Sequence, residues 1–149
     1  MRNKYTIEIA APIQRVFQCI FEPQAVMQWL THVAEYELLD ESKDKVGTRV
    51  RQVWDDNGQR TELNGEITAY SPHTRLGIKL AGARFKVAVD YVLKDLGGRT
   101  ELTQETHLQY QGLLRIIDLG AGRLLRKSYA EELKRNFARL TELCQSKSR

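Results

Sequence analysis

The residue types that most often do chemistry in proteins are sparse and widely spaced in this sequence. Its three histidines, His32, His73 and His107, fall in no HxH or HExxH pattern, and its two cysteines, Cys19 and Cys144, form no CxxC motif. Metal sites and disulfide scaffolds need such close spacings. We therefore predict no metal site, no cofactor and no disulfide framework, and we place His73 and His107 on the surface.

Motifs for nucleophilic catalysis and for phosphate binding are also lacking. There is no GxSxG sequence, and Gly120-Ala121-Gly122 does not match the GxGxxG pattern of phosphate-binding loops. Nucleic-acid modules interleave basic residues with exposed aromatic residues, whereas the aromatic residues here fall on predicted inward faces. We therefore predict no nucleic-acid partner, and we assign no catalytic residue.

Polar residues on otherwise apolar faces are better candidates, because burying them without a partner is unfavourable. Gln104 shares one side of its strand with Leu102, and Arg126 lies within an apolar helical stripe. We hypothesise that these two side chains orient an apolar ligand bearing a carbonyl or carboxylate, helped by the hydroxyls of Tyr91 and Tyr110. The alternative is that Arg126 extends to water and Gln104 bonds its neighbours.

Two further polar residues are weaker candidates for a site. Gln52 shares the side of its strand with Val50 and Trp54. His32 closely follows Trp29, so we place it at the rim of any pocket, in a mainly structural role.

Hydrophobic periodicity predicts the elements that must position these residues. Two short helices are predicted to begin at Pro12 and Pro23, and apolar residues at steps of three and four from Leu125 to Cys144 predict a long C-terminal helix. Ahead of that helix, Gly112 and Gly120-Ala121-Gly122 flank a short apolar segment, either its ordered start or a lid with glycine hinges. The predicted strands cover residues 5–9, 35–41, 49–54, 61–70, 76–80, 84–93 and 100–110, with a hairpin turn at Asn57-Gly58.

Short connections make these strands antiparallel neighbours, which gives an α+β fold class. The later strands are apolar on one side and wetter on the other, so the sheet must pack its apolar face onto another element. Only the C-terminal helix is long enough to cover the apolar face of the sheet. Because a twisted sheet curls, the gap beneath that helix is either filled by large side chains or left as a pocket, and periodicity does not decide between them.

Motifs spread over nearly the whole chain carry a family resemblance. Residues 7–17 read IEIAAPIQRVF, a strand that ends in a small residue and a proline before a helix with an aromatic residue after Val16. Trp29 in the next helix, Val46-Gly47-Thr48 before the next strand, and Gly112-Leu113-Leu114 ahead of the terminal helix complete the pattern. In these motifs the sequence resembles START-like proteins of the SRPBCC superfamily, with its polyketide cyclase/dehydrase-like members.

The resemblance implies the helix-grip fold, a curved seven-stranded antiparallel sheet wrapped around a long C-terminal helix, with two short helices after the first strand. It also implies that the chain binds a lipid, isoprenoid or polyketide-like molecule between sheet and helix. The alternative is a cyclase or dehydratase in which Tyr91, Tyr110, Gln104 or His32 polarises an enolisable carbonyl. We favour binding, because we place no Asp, Glu or His on an inward face. The predicted cavity-lining residues are Trp29, Trp54, Ile67, Ile78, Phe85, Val87, Val89, Tyr91, Gln104, Leu108, Tyr110, Leu125, Arg126 and Tyr129.

The length and composition of this chain are typical of a single-domain globular protein. Its 149 residues, 42% hydrophobic and 28% charged, predict one domain over residues 1–149. It has no apolar run of the roughly 20 residues that cross a bilayer and no secretion-type N-terminus. We therefore expect a cytoplasmic protein.

Positive charge is concentrated near the C-terminus. The chain has a net charge of +4, and residues 113–149 hold nine Lys and Arg against four Asp and Glu. The basic excess is either a solvated helix face or, as a third hypothesis, a surface for an anionic membrane or a protein partner that uses Arg123, Lys127 and Lys134. The sequence makes no prediction of oligomeric state.

Overall fold

The computed structural model describes residues 2–40, 45–56, 58–111 and 114–146, except the side chains of Asp56 and of residues 114–129. One strand, two short helices, six further strands and a long helix follow one another in these ranges. The helices are α1 (Ile13–Phe21), α2 (Pro23–Trp29) and α3 (Leu114–Gln145). The strands are β1 (Arg2–Ile9), β2 (Val33–Leu39), β3 (Arg49–Asp56), β4 (Gln59–Ser71), β5 (Arg75–Ala81), β6 (Phe85–Asp95) and β7 (Thr100–Tyr110).

The seven strands form one sheet in the order β1-β7-β6-β5-β4-β3-β2. Every neighbouring pair is antiparallel. Each predicted strand is present, and its observed ends differ by up to three residues from the ends that the periodicity predicts. The predicted helix-grip fold is confirmed: an antiparallel sheet, a long C-terminal helix and two short helices after β1.

The tight turns use the residue types that the sequence supplies. At the β3–β4 hairpin, Gly58 has φ +89° and its amide donates to Asp55 Oδ1 at 2.9 Å. Asn57, the other residue of that predicted turn, lies outside the described residues. Between β6 and β7, Gly97 and Gly98 have φ of +81° and +84°. Glycine reaches this left-handed region without the steric cost that a Cβ adds, so both hairpins close tightly.

One end of the sheet's inner face, which we call the packed end, is filled with side chains. It is covered by α1, by Trp29 of α2 and by the last turns of α3. Trp29 is fully buried, stacks on Phe137 with ring centroids 6.0 Å apart, and donates from Nε1 to the Cys19 carbonyl at 2.9 Å. Tyr5 of β1 stacks on the other side of Phe137 at 5.1 Å. This end therefore resembles an ordinary close-packed core.

The terminal helix buries the stripe that the spacing predicts, as far as its side chains are described. Leu133, Phe137, Leu140 and Cys144 are all buried. The helix begins at Leu114 and runs through Gly120-Ala121-Gly122, so those residues do not interrupt it. Lys134 is exposed, while the side chains of Arg123 and Lys127 lie outside the described residues.

Candidate ligand cavity

The opposite end of the inner face is hollow. A cavity of about 690 Å³ lies between the sheet and side chains of α1, α2 and α3. Ile20, Val26 and Leu133 line it from the three helices, and Leu30 lines it from the position just after α2. Small-molecule sites typically occupy about 300–1,000 Å³ with mostly apolar walls and a few placed polar groups. The cavity has the size and wall chemistry of such a site.

Most of the residues predicted to line a cavity lie together on its wall. They alternate along β6 and β7, with further contributions from β3 and β5. These nine are Trp54, Ile78, Phe85, Val87, Val89, Tyr91, Gln104, Leu108 and Tyr110. The side chains of Leu125, Arg126 and Tyr129 lie outside the described residues.

Trp29 and Ile67 lie away from the cavity, in the core. Trp29 turns toward Phe137 and Cys19, because its indole N–H finds a backbone acceptor there. Ile67 is 1% exposed and pairs across strands with Ile78. Its strand shifts register just beyond this pair, between Ile67 and Ala69. Core residues and cavity residues both lie on the inward side of their strands. The alternation along a strand therefore does not distinguish one group from the other.

One wall of the cavity carries a hydrogen-bonded group of polar side chains on β2 and β3. Trp54 Nε1 donates to Gln52 Oε1 at 2.8 Å, and Tyr36 lies opposite Gln52 in the strand register. Burial raises the pKa of Tyr36, and a hydrogen bond with Gln52 partly opposes that rise. Its phenol thus stays protonated at neutral pH. Tyr36 was not predicted, whereas Gln52 is detectable as a polar residue on an apolar face.

Strand β7, which three strands of the sheet separate from β3, carries a second polar pair. Gln104 and Thr106 both line the cavity and both are 5% exposed. Gln104 Nε2 donates to Thr106 Oγ1 at 2.8 Å. Gln104 Oε1 is buried and has no hydrogen-bond partner within the part of the chain that is described. Thr106 shares the parity of Gln104, so its inward position is detectable from the sequence.

Aromatic rings follow one another around one side of the cavity. Ring centroids are 4.8 Å apart for His32 and Trp54, 5.1 Å for Trp54 and Phe85, and 6.2 Å for Phe85 and Tyr110. We call these four side chains the aromatic arc. Its members come from β3, β6, β7 and the loop before β2, so the fold rather than local sequence brings them together.

The rim of the cavity is polar and includes titratable groups. We define it by residues that are exposed or half-buried and come largely from turns and strand ends: Thr31, His32, Asp55, Gln59, Arg84 and Glu132. His32 thus lies at the rim, as the sequence predicts, whereas Asp55 and Glu132 were not expected there. Strand parity does not govern side chains at a hairpin tip, such as Asp55, or on a helix, such as Glu132.

Both rim carboxylates are already engaged. Asp55 accepts from the Gly58 amide at 2.9 Å and lies 3.7 Å from Arg60. Glu132 bonds Arg135 at 2.7 Å and lies 3.9 Å from Arg139. His32 is the rim residue whose chemistry best suits proton transfer at neutral pH. Among the described residues, no group of three His, Cys, Asp or Glu side chains is placed to hold a metal ion.

The fold and its hollow sheet–helix gap define a START-like protein of the helix-grip class. The chain belongs to the family described as "Polyketide cyclase / dehydrase and lipid transport", whose sequence model matches residues 2–144. No curated protein matches it. No helix among the described residues is both long and apolar enough to cross a membrane.

Solved structures share this fold at low sequence identity. A START superfamily protein from Mycobacterium smegmatis is similar with a TM-score of 0.79, 17% identity and 97% coverage of both chains. The Zhui aromatase/cyclase from a Streptomyces species has a TM-score of 0.78 and 12% identity, covering 97% of this chain and 93% of the other. The protein TTHA0849 from Thermus thermophilus has a TM-score of 0.77 and 18% identity, covering 97% of each. At these identities the likeness establishes the fold.

Proposed function

We propose that this protein binds an apolar or amphipathic small molecule of the lipid, isoprenoid or polyketide-like class in the cavity between sheet and helix. The observation that carries the proposal is the cavity itself, about 690 Å³ with walls that are largely apolar. Membership of a family described by polyketide cyclisation and lipid transport supports the same ligand classes.

The polar groups divide between cavity wall and rim in a way that suits such a ligand. Apolar residues of β6 and β7 are positioned to bury the body of the molecule, and each buried CH2 is worth about 0.8 kcal/mol. The rim, with His32, Arg84 and Glu132, remains accessible to a polar end of the ligand.

Native mass spectrometry of protein purified from its own cells without detergent tests this proposal directly. We expect a bound species that leaves on denaturation, and its mass identifies the ligand class. Repeating the purification with a variant whose cavity is filled makes the test specific. Val89→Trp places an indole in the cavity, whereas Val92→Trp places one on the outer face of the same strand, where Val92 is 47% exposed.

The bound species should be lost from Val89→Trp and retained by Val92→Trp. If the wild-type protein carries nothing and binds no lipid, isoprenoid or aromatic polyketide added at micromolar concentration, the binding proposal is wrong. Equal retention by both variants would place the ligand outside the cavity.

A cyclase-like enzyme is the second candidate, favoured by the position of His32 on the rim. Its imidazole contacts Trp54 of the aromatic arc and lies beside the cavity that would hold a carbonyl substrate. A neutral imidazole there is suited to remove a proton α to a carbonyl, and the Tyr36 phenol, which also lines the cavity and is protonated at neutral pH, is suited to donate to the carbonyl oxygen.

Deuterium exchange distinguishes this activity from binding alone. With 2-acetylnaphthalene in D2O, an enzyme accelerates exchange of the methyl protons next to the carbonyl, as measured by NMR. His32→Gln should abolish the acceleration, while His107→Gln, a half-buried histidine on β7 that does not line the cavity, should leave it unchanged. An exchange rate equal to that of buffer would exclude this proton transfer for this ketone.

A further inference from the structure

The polar pair on β7 has hydrogen-bonding capacity that the described protein does not use. Gln104 Oε1 is buried without a partner. The hydroxyl oxygen of Thr106 accepts a hydrogen bond from Gln104 Nε2. The Thr106 hydroxyl itself donates to no acceptor in the part of the chain that is described. Gln104 Oε1 is therefore an unused acceptor and the Thr106 O–H an unused donor, side by side on the cavity wall, and Nε2 has a second proton for which no partner is found among the described residues.

Such unused groups are unfavourable where they are buried, as both are here. Thr106 lies opposite Val89, and Gln104 lies opposite Tyr91, in the β6–β7 register. A buried acceptor without a partner costs about 1–3 kcal/mol. Native proteins keep few such atoms, and each calls for an explanation. A ligand that fills the cavity and bonds both groups removes this cost.

A hydroxyl group is the ligand chemistry that satisfies both positions at once. Its proton is donated to Gln104 Oε1, and its oxygen accepts the Thr106 proton. A carbonyl only accepts, and an ammonium group only donates. Turning the Gln104 amide over exchanges the two roles and again leaves one donor and one acceptor, so the complementarity to a hydroxyl is unchanged.

The amide must rearrange to meet such a ligand. Gln104 lines the cavity, but its Oε1 is itself buried, so an incoming donor requires a rotation about the last side-chain torsion. That torsion is broad for glutamine, so the cost of the rotation is mainly the weakened Nε2 bond to Thr106, which the two hydrogen bonds to the ligand replace.

We propose that the ligand of this cavity carries a hydroxyl group, as an alcohol or phenol, that is held between Gln104 and Thr106 on β7. This inference rests on the proposed binding function and narrows its ligand class. It replaces the hypothesis that Gln104 recognises a carbonyl or carboxylate.

Three fluorescent probes of similar shape test the inference. The probe 1-pyrenemethanol donates and accepts, 1-pyrenecarboxaldehyde only accepts, and 1-ethylpyrene does neither. Dissociation constants are measured by fluorescence titration for the wild-type protein, Gln104→Leu and Thr106→Val. For each protein, the affinity for 1-pyrenemethanol is divided by the affinity for 1-ethylpyrene. The probes differ in hydration, but this difference is the same for every protein, so it cancels when the ratios of two proteins are compared.

We expect the alcohol-to-ethyl affinity ratio to fall about five- to tenfold in Gln104→Leu, the worth of one buried hydrogen bond. Thr106→Val should lower it by a similar factor, and it serves as the test if Gln104→Leu does not fold. The aldehyde-to-ethyl ratio should change less in Gln104→Leu than the alcohol-to-ethyl ratio does. Gln109→Leu is the matched control, because Gln109 is an exposed glutamine on the outer side of the same strand.

The outcomes separate this inference from the proposed function. If all three probes bind the wild-type protein and the ratios are the same in every variant, the hydroxyl inference is wrong while the binding function stands. A larger loss for the aldehyde than for the alcohol would also overturn it, in favour of a carbonyl ligand. If none of the probes binds the wild-type protein, neither the inference nor binding of polycyclic ligands in this cavity is tenable.

Discussion

The two ends of the sheet's inner face have the same strand pattern but opposite packing. On β6, Leu93 lies in the buried core, whereas Val87 and Val89, which share its side of the strand, face the cavity. On β7, Leu102 is fully buried and Leu108 lines the cavity. Because the strands are continuous, the difference arises from the elements above them. The packed end is filled by Trp29, Phe137 and most of α1, whereas Ile20 is the one residue of α1 that lines the hollow end.

The two ends also differ in how their polar groups are satisfied. At the packed end, Thr100 Oγ1 donates to the Ala11 carbonyl at 2.8 Å, and the Trp29 indole has its own acceptor. Arg15 Nε there lacks a partner, but the same guanidinium donates to the Leu143 carbonyl at 3.0 Å. At the hollow end, Gln104 Oε1 has no partner among the described residues, and its carboxamide has no second oxygen to accept a bond instead. The proposed ligand would satisfy this atom, whereas the packed end needs no ligand to fill it.

Removing a ring at the packed end should have the largest effect. Phe137 is 2% exposed and lies between the rings of Tyr5 and Trp29. We expect Phe137→Ala to lower the free energy of unfolding by about 3–5 kcal/mol, the usual cost of deleting a buried aromatic ring. Urea unfolding followed by circular dichroism measures the loss. A cost below that of the cavity-wall variant described next would show that the two ends are packed alike.

Truncation of the cavity wall should cost less. Leu108 is 7% exposed, but part of its surroundings is already empty space. We expect Leu108→Ala to cost about 2 kcal/mol, at the low end of the 2–5 kcal/mol range for buried leucine. The same urea titration applies. Addition of a tight ligand should enlarge the difference between this variant and the wild-type protein, because the truncated wall loses contacts with the ligand.

Replacing both members of the polar pair should stabilise the empty protein. The double variant Gln104→Leu, Thr106→Val removes the buried acceptor without a partner and leaves no unpaired Thr106 hydroxyl behind. Replacing both partners by apolar groups is neutral or stabilising, so we expect the free energy of unfolding to rise by up to about 1 kcal/mol. Thermal unfolding of the ligand-free variant beside Gln109→Leu measures it. A loss of stability would mean that Oε1 is satisfied in the wild-type protein.

The smallest effect at neutral pH concerns Tyr36, on the wall of the cavity. Burial raises its pKa above the ordinary value of 10.0, so the unfolded chain loses the phenol proton at lower pH than the folded chain does. Its contribution is therefore fully present below pH 10.0 and is lost as the pH rises through the folded-state value. Wild-type protein should lose more stability than Tyr36→Phe between about pH 9 and pH 11, measured by urea unfolding. If the free energies of unfolding of the two proteins changed equally with pH, water would have access to the Tyr36 phenol.

The sequence predicts the fold more fully than the site, for a physical reason. Alternation along β6 and β7 identifies which side chains face inward, and it correctly groups Phe85, Val87 and Tyr91. It does not say which inward positions are covered by another element, so it does not separate the buried Ile67 of β4 from its cavity-lining neighbour Ile78. Trp29 lies on α2, where strand alternation gives no information. Rim residues from turns, helices and strand ends, such as Asp55 near the end of β3, are not identified by strand parity. Their position depends on the three-dimensional course of the chain.

The pairing of the first strand with the last has a consequence for biosynthesis. Ile9 of β1 pairs with Thr100, and Arg2 pairs with His107, so β1 lacks its neighbour until most of the chain has left the ribosome. The hairpins from β2 to β6 join strands close in sequence and are able to form earlier. Long-range pairings of this kind slow folding and leave a strand edge open to other chains. Expression yield should therefore depend on temperature and chaperone supply more than the final stability alone suggests.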